Sequence, residues 1–272
     1  MIKINGVVIE QNHFPDGTLL LKDQMGTVYY PCMRFEWLYE SDAELFTLIC
    51  LAKKYSNKSK TLYLPYIPHA RQDRVKSYED TFTLKYFAEV INSLGFESVH
   101  VLDPHSNVSA ALIDRVYAQR PQAYLEDVIF HYQVGGNPES ETINDDFVLF
   151  FPDEGASKRY SSLLSEVPYA FGIKQRDWKT GQIQGLSVID NGIDLKGKTI
   201  LIVDDICSRG GTFYHSAKKL KELGVGDIYL YVTHCENTIL EGELLTSGLI
   251  KRVFTTNSIF TKTHEMIEVM EV

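Results

Sequence analysis

The stretch from Thr199 to Phe213, TILIVDDICSRGGTF, restricts the fold of this chain more than any other. Thr199 to Val203 are apolar or β-branched without alternation. Such a run suits a strand buried on both faces, as in a parallel sheet. Asp204 and Asp205 follow at its end. Then come Ser208, Arg209, Gly210, Gly211 and Thr212, and a helical pattern from Phe213 to Leu223 closed by Gly224. Parallel sheets keep their ligands at the carboxyl ends of the strands. The order strand, acid pair, small-residue loop, helix start therefore predicts an α/β protein with a site here.

The residue types narrow the ligand. Gly210 and Gly211 admit close backbone approach. The amides at the following helix start favour an anion, phosphate above all. Two adjacent carboxylates repel that same phosphate, so they suit hydroxyls or a metal. A sugar phosphate satisfies both halves. An ordinary strand–turn–helix with a solvated acidic turn has the same local pattern.

Bulk properties exclude some functions. The 272 residues are 44% hydrophobic, enough for one large domain or two smaller ones. The net charge of -9, with no basic tail, argues against a general nucleic-acid binder. Cys32, Cys50, Cys207 and Cys235 are far apart and form no CxxC pair, as expected of reduced thiols in a cytoplasmic protein. The N-terminus has no signal-peptide core, and no apolar run approaches membrane-spanning length.

Taken in order, Ile2 to Leu21 reads as short strands with a hairpin turn at His13–Thr18, and Thr27 to Tyr30 as a further strand. Asp42 to Tyr55 has the apolar spacing of an amphipathic helix, with Lys53 and Lys54 at its end. The strand Thr61 to Leu64 leads into Pro65 and a loop holding His69, Arg71, Gln72, Asp73 and Arg74; its two prolines forbid a helix. A helix over Thr83–Leu94 and a strand over Glu97–Leu102 precede Asp103-Pro104-His105. Gln119 to Asp146 is polar and reads as the link between two halves, with room for one short helix. Phe147 to Phe151, Pro152, Asp153 and Arg159 then echo the earlier strand–proline–loop–arginine order. This is a weak internal repeat of two α/β units, placed at 1–140 and 141–272. After a strand over Ala170–Ile173, Lys174 to Gln182 is basic and glycine-containing; it fits a mobile loop that brings cations to a site, or a plain hairpin. Strands over Asp227–Val232 and Arg252–Thr255 close the pattern.

The central stretch resembles the phosphoribosyl diphosphate signature of type I phosphoribosyltransferases and ribose-phosphate pyrophosphokinases. The loop Ala70-Arg71-Gln72-Asp73-Arg74 resembles the pyrophosphokinases specifically. With it, Phe14-Pro15-Asp16-Gly17 is similar to the family's F-x-D-G-E turn, Asp103-Pro104-His105 to its D-L-H segment, Pro152 to Arg159 to P-D-x-G-x-x-x-R, and Thr255-Thr256-Asn257 to its closing strand. The resemblance runs from Phe14 to Ser258. It implies two tandem phosphoribosyltransferase-like units, each a mainly parallel sheet flanked by helices. It implies ATP contacts from Phe14, Asp16, Arg71, Gln72 and His105, and magnesium near His105 and Asp153. It places catalytic cations at Lys174 and Arg176. Asp204 and Asp205 take the ribose hydroxyls, and Ser208, Arg209, Gly210, Gly211 and Thr212 the 5-phosphate. The shared ATP site implies a homo-oligomer. Thr18 replaces the glutamate of the adenine turn, and Ser208-Arg209 departs from the family's usual D-T-A-G-T loop.

The implied reaction is transfer of pyrophosphate from ATP to the 1-hydroxyl of ribose 5-phosphate. Arg209 also motivates a larger acceptor such as ADP-ribose. A phosphoribosyltransferase and a non-catalytic relative are further alternatives.

Overall fold

The computed structural model describes residues 1–22, 25, 30–133, 146–176 and 183–272, with the backbone alone at 131–133, 174–176 and 183–185. The chain divides into two compact units, Met1–Arg120 and Pro121–Val272. The boundary expected at 140/141 thus falls earlier. The cause is a twelve-residue helix, α4 (Gln122–Gln133 below), whose Leu125, Val128 and Ile129 are buried with the second unit's strands.

The first unit runs β1 (Ile2–Ile4), β2 (Val7–Val8), β3 (Gln11–His13), β4 (Leu19–Leu21), β5 (Cys32–Trp37), α1 (Ala43–Lys54), β6 (Ser59–Tyr63), α2 (Thr83–Ser93), β7 (Ser98–Leu102), α3 (Asn107–Leu112) and β8 (Val116–Gln119). Its six-stranded sheet has the order β2-β1-β5-β6-β7-β8. The strands from β5 to β8 are parallel, and β1 and β2 add an antiparallel edge. The expected hairpin is β3–β4, a separate two-stranded sheet. The expected strand over Thr27–Tyr30 falls almost wholly outside the described residues. In α2, Leu84, Phe87, Ala88 and Ile91 are buried at the i, i+3, i+4, i+7 spacing of one helix face. Truncating one of the larger ones to alanine costs about 2–5 kcal/mol. The β5 strand, CMRFEW, was not anticipated, although Met33, Phe35 and Trp37 alternate as a half-buried strand should.

The second unit runs α4 (Gln122–Gln133), β9 (Phe147–Phe151), α5 (Glu154–Tyr160), β10 (Tyr169–Arg176), β11 (Ile183–Ile189), β12 (Thr199–Cys207), α6 (Gly211–Glu222), β13 (Ile228–Cys235), a 3₁₀ helix (Asn237–Glu241), β14 (Arg252–Thr256) and β15 (Ile267–Met270). Its seven-stranded order is β11-β10-β9-β12-β13-β14-β15, parallel except for the β10–β11 pair.

The unalternating β12 run is explained by its two neighbours and two faces. Ile200 and Ile202 pack into one core and Leu201 and Val203 into another, on opposite sides of the sheet. Phe213, Ala217 and Leu220 of α6 join the first core, while Ala156 and Tyr160 of α5 join the second. The chain leaves β9 toward β10 on one side, then returns to β12 on the other. The carboxyl ends of β9 and β12 therefore flank a topological switch point, where open α/β sheets form their binding crevice.

Candidate active site

Both sides of that switch point carry acids. Asp153 follows β9 and is the N-cap of α5, accepting the Ala156 amide at 3.0 Å. Asp204 and Asp205 lie within β12, which runs on to Cys207 instead of stopping at Val203. The strand alternation sends Asp205 toward the α5 face, where Arg159 Nη1 stands 3.5 Å from Asp205 Oδ2. Asp205 is 5% exposed. Its amide donates to Asp204 Oδ1 at 2.9 Å. Burial pushes the Asp204 carboxyl well above the usual carboxylate range, and the charges of Asp205 and then Asp153 push it further. Three carboxyls are thus gathered near one point, and adding charge to any of them costs the others. That arrangement favours groups which donate hydrogen bonds or carry positive charge.

The loop beyond the acids is shaped by its backbone. Gly210 has φ +79 and precedes the first turn of α6; a Cβ there would meet Leu244 at 2.9 Å. A Cβ on Gly211 would meet nothing within 4 Å. The α6 N-terminus has no side-chain cap and no acid in its first turn. Its leading amides therefore face an open approach with the positive end of the helix dipole behind them. The helix begins at Gly211, two residues earlier than expected from the sequence, which brings Gly211 and Thr212 into that first turn.

Arg209 is exposed and ion-paired with Glu241 at 3.1 Å. The loop is held from behind by Gly242, where a Cβ would stand 1.9 Å from the Arg209 carbonyl oxygen. Ser208 is half-buried, and its carbonyl accepts from Cys207 Sγ at 3.3 Å. Cys207 and Cys235 are register partners on β12 and β13, both buried. A hydrogen bond with Cys235, then burial, raise the Cys207 thiol, so this pair is packing and not a nucleophile. The four cysteines are free thiols. Beside them, Thr256 donates to the Thr233 carbonyl at 2.6 Å, and Ser258 Oγ lies 2.8 Å from His234 Nδ1, a fully buried polar cluster that closes the sheet.

Lys174 and Arg176 are not in a loop. They are the last residues of β10, in register with Leu186 and Ile183 of β11, so this part follows the hairpin reading. Their side chains, and residues 177–182, lie outside what is described.

In the first unit the candidate residues sit at the ends of β6 and β7. Arg71 is exposed. The Gln72 side-chain oxygen accepts from Thr83 Oγ1 at 2.7 Å, which fixes it to the start of α2. Asp73 is buried and takes Arg74 Nε at 2.6 Å and Nη2 at 2.9 Å. That pairing, helped by Ser106 and the nearby His105, lowers its carboxyl to about 2. Backbone strain marks both tips, with φ +63 at His69 and +42 at Asp103. Asp73 and Asp103 belong to the motifs read from the sequence, but no site role was assigned to them there. The β-tip position was the available signal. In the β3–β4 turn, Phe14 is 49% exposed, and Asp16 accepts both the amide (2.9 Å) and hydroxyl (2.7 Å) of Thr18. The side-chain bond and then the backbone bond lower the Asp16 carboxyl. Thr18 therefore closes the turn from within.

Among the described residues, no group of three or more His, Cys, Asp or Glu side chains forms a ready metal cage. Magnesium carried on phosphates needs none, since it keeps waters and takes one or two carboxylates. Asp153 with Asp204 is a donor set of that kind. No helix among the described residues is long and apolar enough to cross a membrane.

Residues 151–267 match the Phosphoribosyl transferase domain family. The chain is 30% identical over 234 residues to the chloroplastic ribose-phosphate pyrophosphokinase 2 of Oryza sativa subsp. japonica, covering 83% of this chain and 54% of that protein. It is 30% identical over 220 residues to the ribose-phosphate pyrophosphokinase of a Nostoc species, covering 79% and 62%. To the Saccharolobus solfataricus ribose-phosphate pyrophosphokinase it is 26% identical over 275 residues, covering 99% and 90%. The chain thus spans between half and two thirds of the plant and cyanobacterial relatives. Among solved structures, phosphoribosylpyrophosphate synthetase from Mycobacterium smegmatis shares the fold, with a TM-score of 0.76 at 21% identity, over 97% of this chain and 86% of that one.

Proposed function

We propose that the chain, similar to ribose-phosphate pyrophosphokinases over most of its length, transfers pyrophosphate from ATP to the 1-hydroxyl of ribose 5-phosphate. The observation that carries the acceptor half is the switch-point arrangement: an acid pair at the tip of β12, followed by an uncapped helix start with open space over Gly211. Asp204 and Asp205 accept hydrogen bonds from the ribose 2- and 3-hydroxyls. The first amides of α6 and the Thr212 hydroxyl take the 5-phosphate. The 1-hydroxyl oxygen then bonds to the β-phosphorus of ATP, the bond from that phosphorus to the α-phosphate oxygen breaks, and AMP leaves. The hydroxyl proton passes to solvent.

Such a transfer needs in-line positioning and positive charge more than covalent help from the protein. Arg71 and Gln72 hold the nucleotide, with Phe14 and Asp16 presenting the turn that packs on adenine. Lys174 and Arg176 offset the charge on the moving group. Asp153 would hold one magnesium and His105 another, each supplying charge neutralisation of the phosphates when bound. The protein is cytoplasmic and works as a homo-oligomer in this reading.

The Arg209–Glu241 pair weighs against the ADP-ribose alternative. Arg209 already has a carboxylate partner, and Glu241 stands where a further phosphate would meet negative charge. The deciding experiment is a product assay with ATP, magnesium and either ribose 5-phosphate or ADP-ribose, read by mass spectrometry. AMP and a pyrophosphorylated pentose from ribose 5-phosphate support the proposal. Product from ADP-ribose alone replaces the acceptor, and no product from either refutes the activity.

A further inference from the structure

We infer that Arg159 is a positioning residue for the acceptor sugar, acting through Asp205. The inference rests on the reading of Asp204 and Asp205 as the hydroxyl-binding acids. Asp205 is buried and sits directly beside Asp204, with Asp153 near enough to act on the pair. A buried carboxylate in such company needs a cation, or its charge and orientation are not maintained. Arg159 supplies it at 3.5 Å. A carboxylate offers about four lone-pair sites, so a cation on one of them is compatible with a hydroxyl on another.

Arg159 is itself well placed. Its side chain is 27% exposed, and its guanidinium lies 5.8 Å from the Tyr160 ring centroid. Tyr160 is fully buried in the α5-side core, which anchors that end of the helix. The same short helix begins at Asp153, so one element fixes both the cap acid and the cation that orients Asp205. Arg159 thereby sets which direction Asp205 presents to a ribose hydroxyl without touching the sugar.

The test is calorimetric titration of the full chain with ribose 5-phosphate and, separately, with magnesium-ATP. In Arg159→Gln we expect binding of ribose 5-phosphate to weaken about tenfold, as for loss of one charge-assisted hydrogen bond. ATP binding stays within about twofold, because nucleotide recognition is not routed through Asp205. Arg159→Lys restores most of the loss. In an Asp205→Asn background, Arg159→Gln adds nothing, since the two act as one unit. Equal weakening of both ligands, no change in ribose 5-phosphate binding, or additive effects in the double variant would overturn the inference. If Arg159→Gln fails to fold, Arg159→Lys carries the test: a selective loss of about two- to fivefold, from replacing a fork by a point charge, supports it, and none or an unselective loss overturns it. Wild-type protein that binds no ribose 5-phosphate removes the acid-pair reading and this inference together, whereas wild-type binding insensitive to Arg159 removes only the inference.

Discussion

Asp73 of the first unit lies in the loop after a parallel strand and Asp204 of the second lies within one, and both are sheltered, yet their carboxyls are driven apart. Arg74 bonds Asp73 with two nitrogens and holds it down at about 2. Asp204 is driven upward by burial and by two more acids. The first is a settled structural ion pair. The second is an unbalanced cluster that a ligand can improve. The topologies differ in the same sense. The first unit steps from β5 to β8 in one direction, so its parallel strands have no reversal. The second reverses between β9 and β12 and opens a crevice there. A strained, charge-imbalanced acid at a switch point is the better marker of a site than an acid at a strand tip alone.

The largest expected effect comes from substituting the two acids. Asp204→Asn should lower kcat/KM for ribose 5-phosphate about 10–100-fold, the value of a hydrogen bond to a charged acceptor. It should also stabilise the fold. A raised carboxyl binds its proton more readily in the native state, so ionised Asp204 costs stability increasingly as pH rises from the unfolded carboxylate value. The unfolding temperature of Asp204→Asn at pH 8 should exceed wild type by about 2–4 °C, and the gain should vanish below about pH 4. Asp73→Asn should move it down instead. The same sign of thermal shift in both variants would erase the contrast.

The glycine loop sharpens the comparison next. Gly210→Ala should cost about 2 kcal/mol, since it combines a left-handed backbone with a clash on Leu244. Gly211→Ala meets open space and should leave stability nearly unchanged while raising KM for ribose 5-phosphate about tenfold, because the methyl occupies the approach to the helix amides. Denaturant melts beside steady-state kinetics separate the two. Equal KM values for Gly211→Ala and wild type would place the phosphate elsewhere.

A smaller effect belongs to Arg74. With the Asp73 carboxyl lowered, its contribution is present above about pH 4 and lost as pH falls toward about 2. Arg74→Gln should flatten that acid limb only slightly, because the guanidinium is largely exposed. An unchanged urea midpoint between pH 4 and pH 2 would show that the pair carries nothing. Smallest is Glu241→Gln, which removes an exposed partner of Arg209; ribose 5-phosphate turnover should change less than about twofold, with any new ADP-ribose turnover measured alongside.

Several features could be read directly from residue order. The β12 run had to be buried on both faces because it never alternates, and its residues divide between two cores. The helix α2 followed from one apolar stripe. The hairpin followed from Asp16-Gly17. Harder to see were β11 and β15, which lie at the two edges of their sheet and pair on one side only, and β5, whose alternation at Met33, Phe35 and Trp37 is its one local signal. The length of α4 was obscured by its polar residues, and with it the unit boundary.

The sequence by itself determined where chemistry could occur: acids and glycines at strand ends, in local patterns that need only adjacent residues to be recognised. Tertiary structure decided which of those acids is a settled ion pair and which is strained. Asp73 found its cation one residue away in Arg74, but Asp205 found Arg159 across 46 positions, on a helix that packs against its strand. Charge balance in a buried site depends on distances between residues far apart in the chain, and only folding sets those distances.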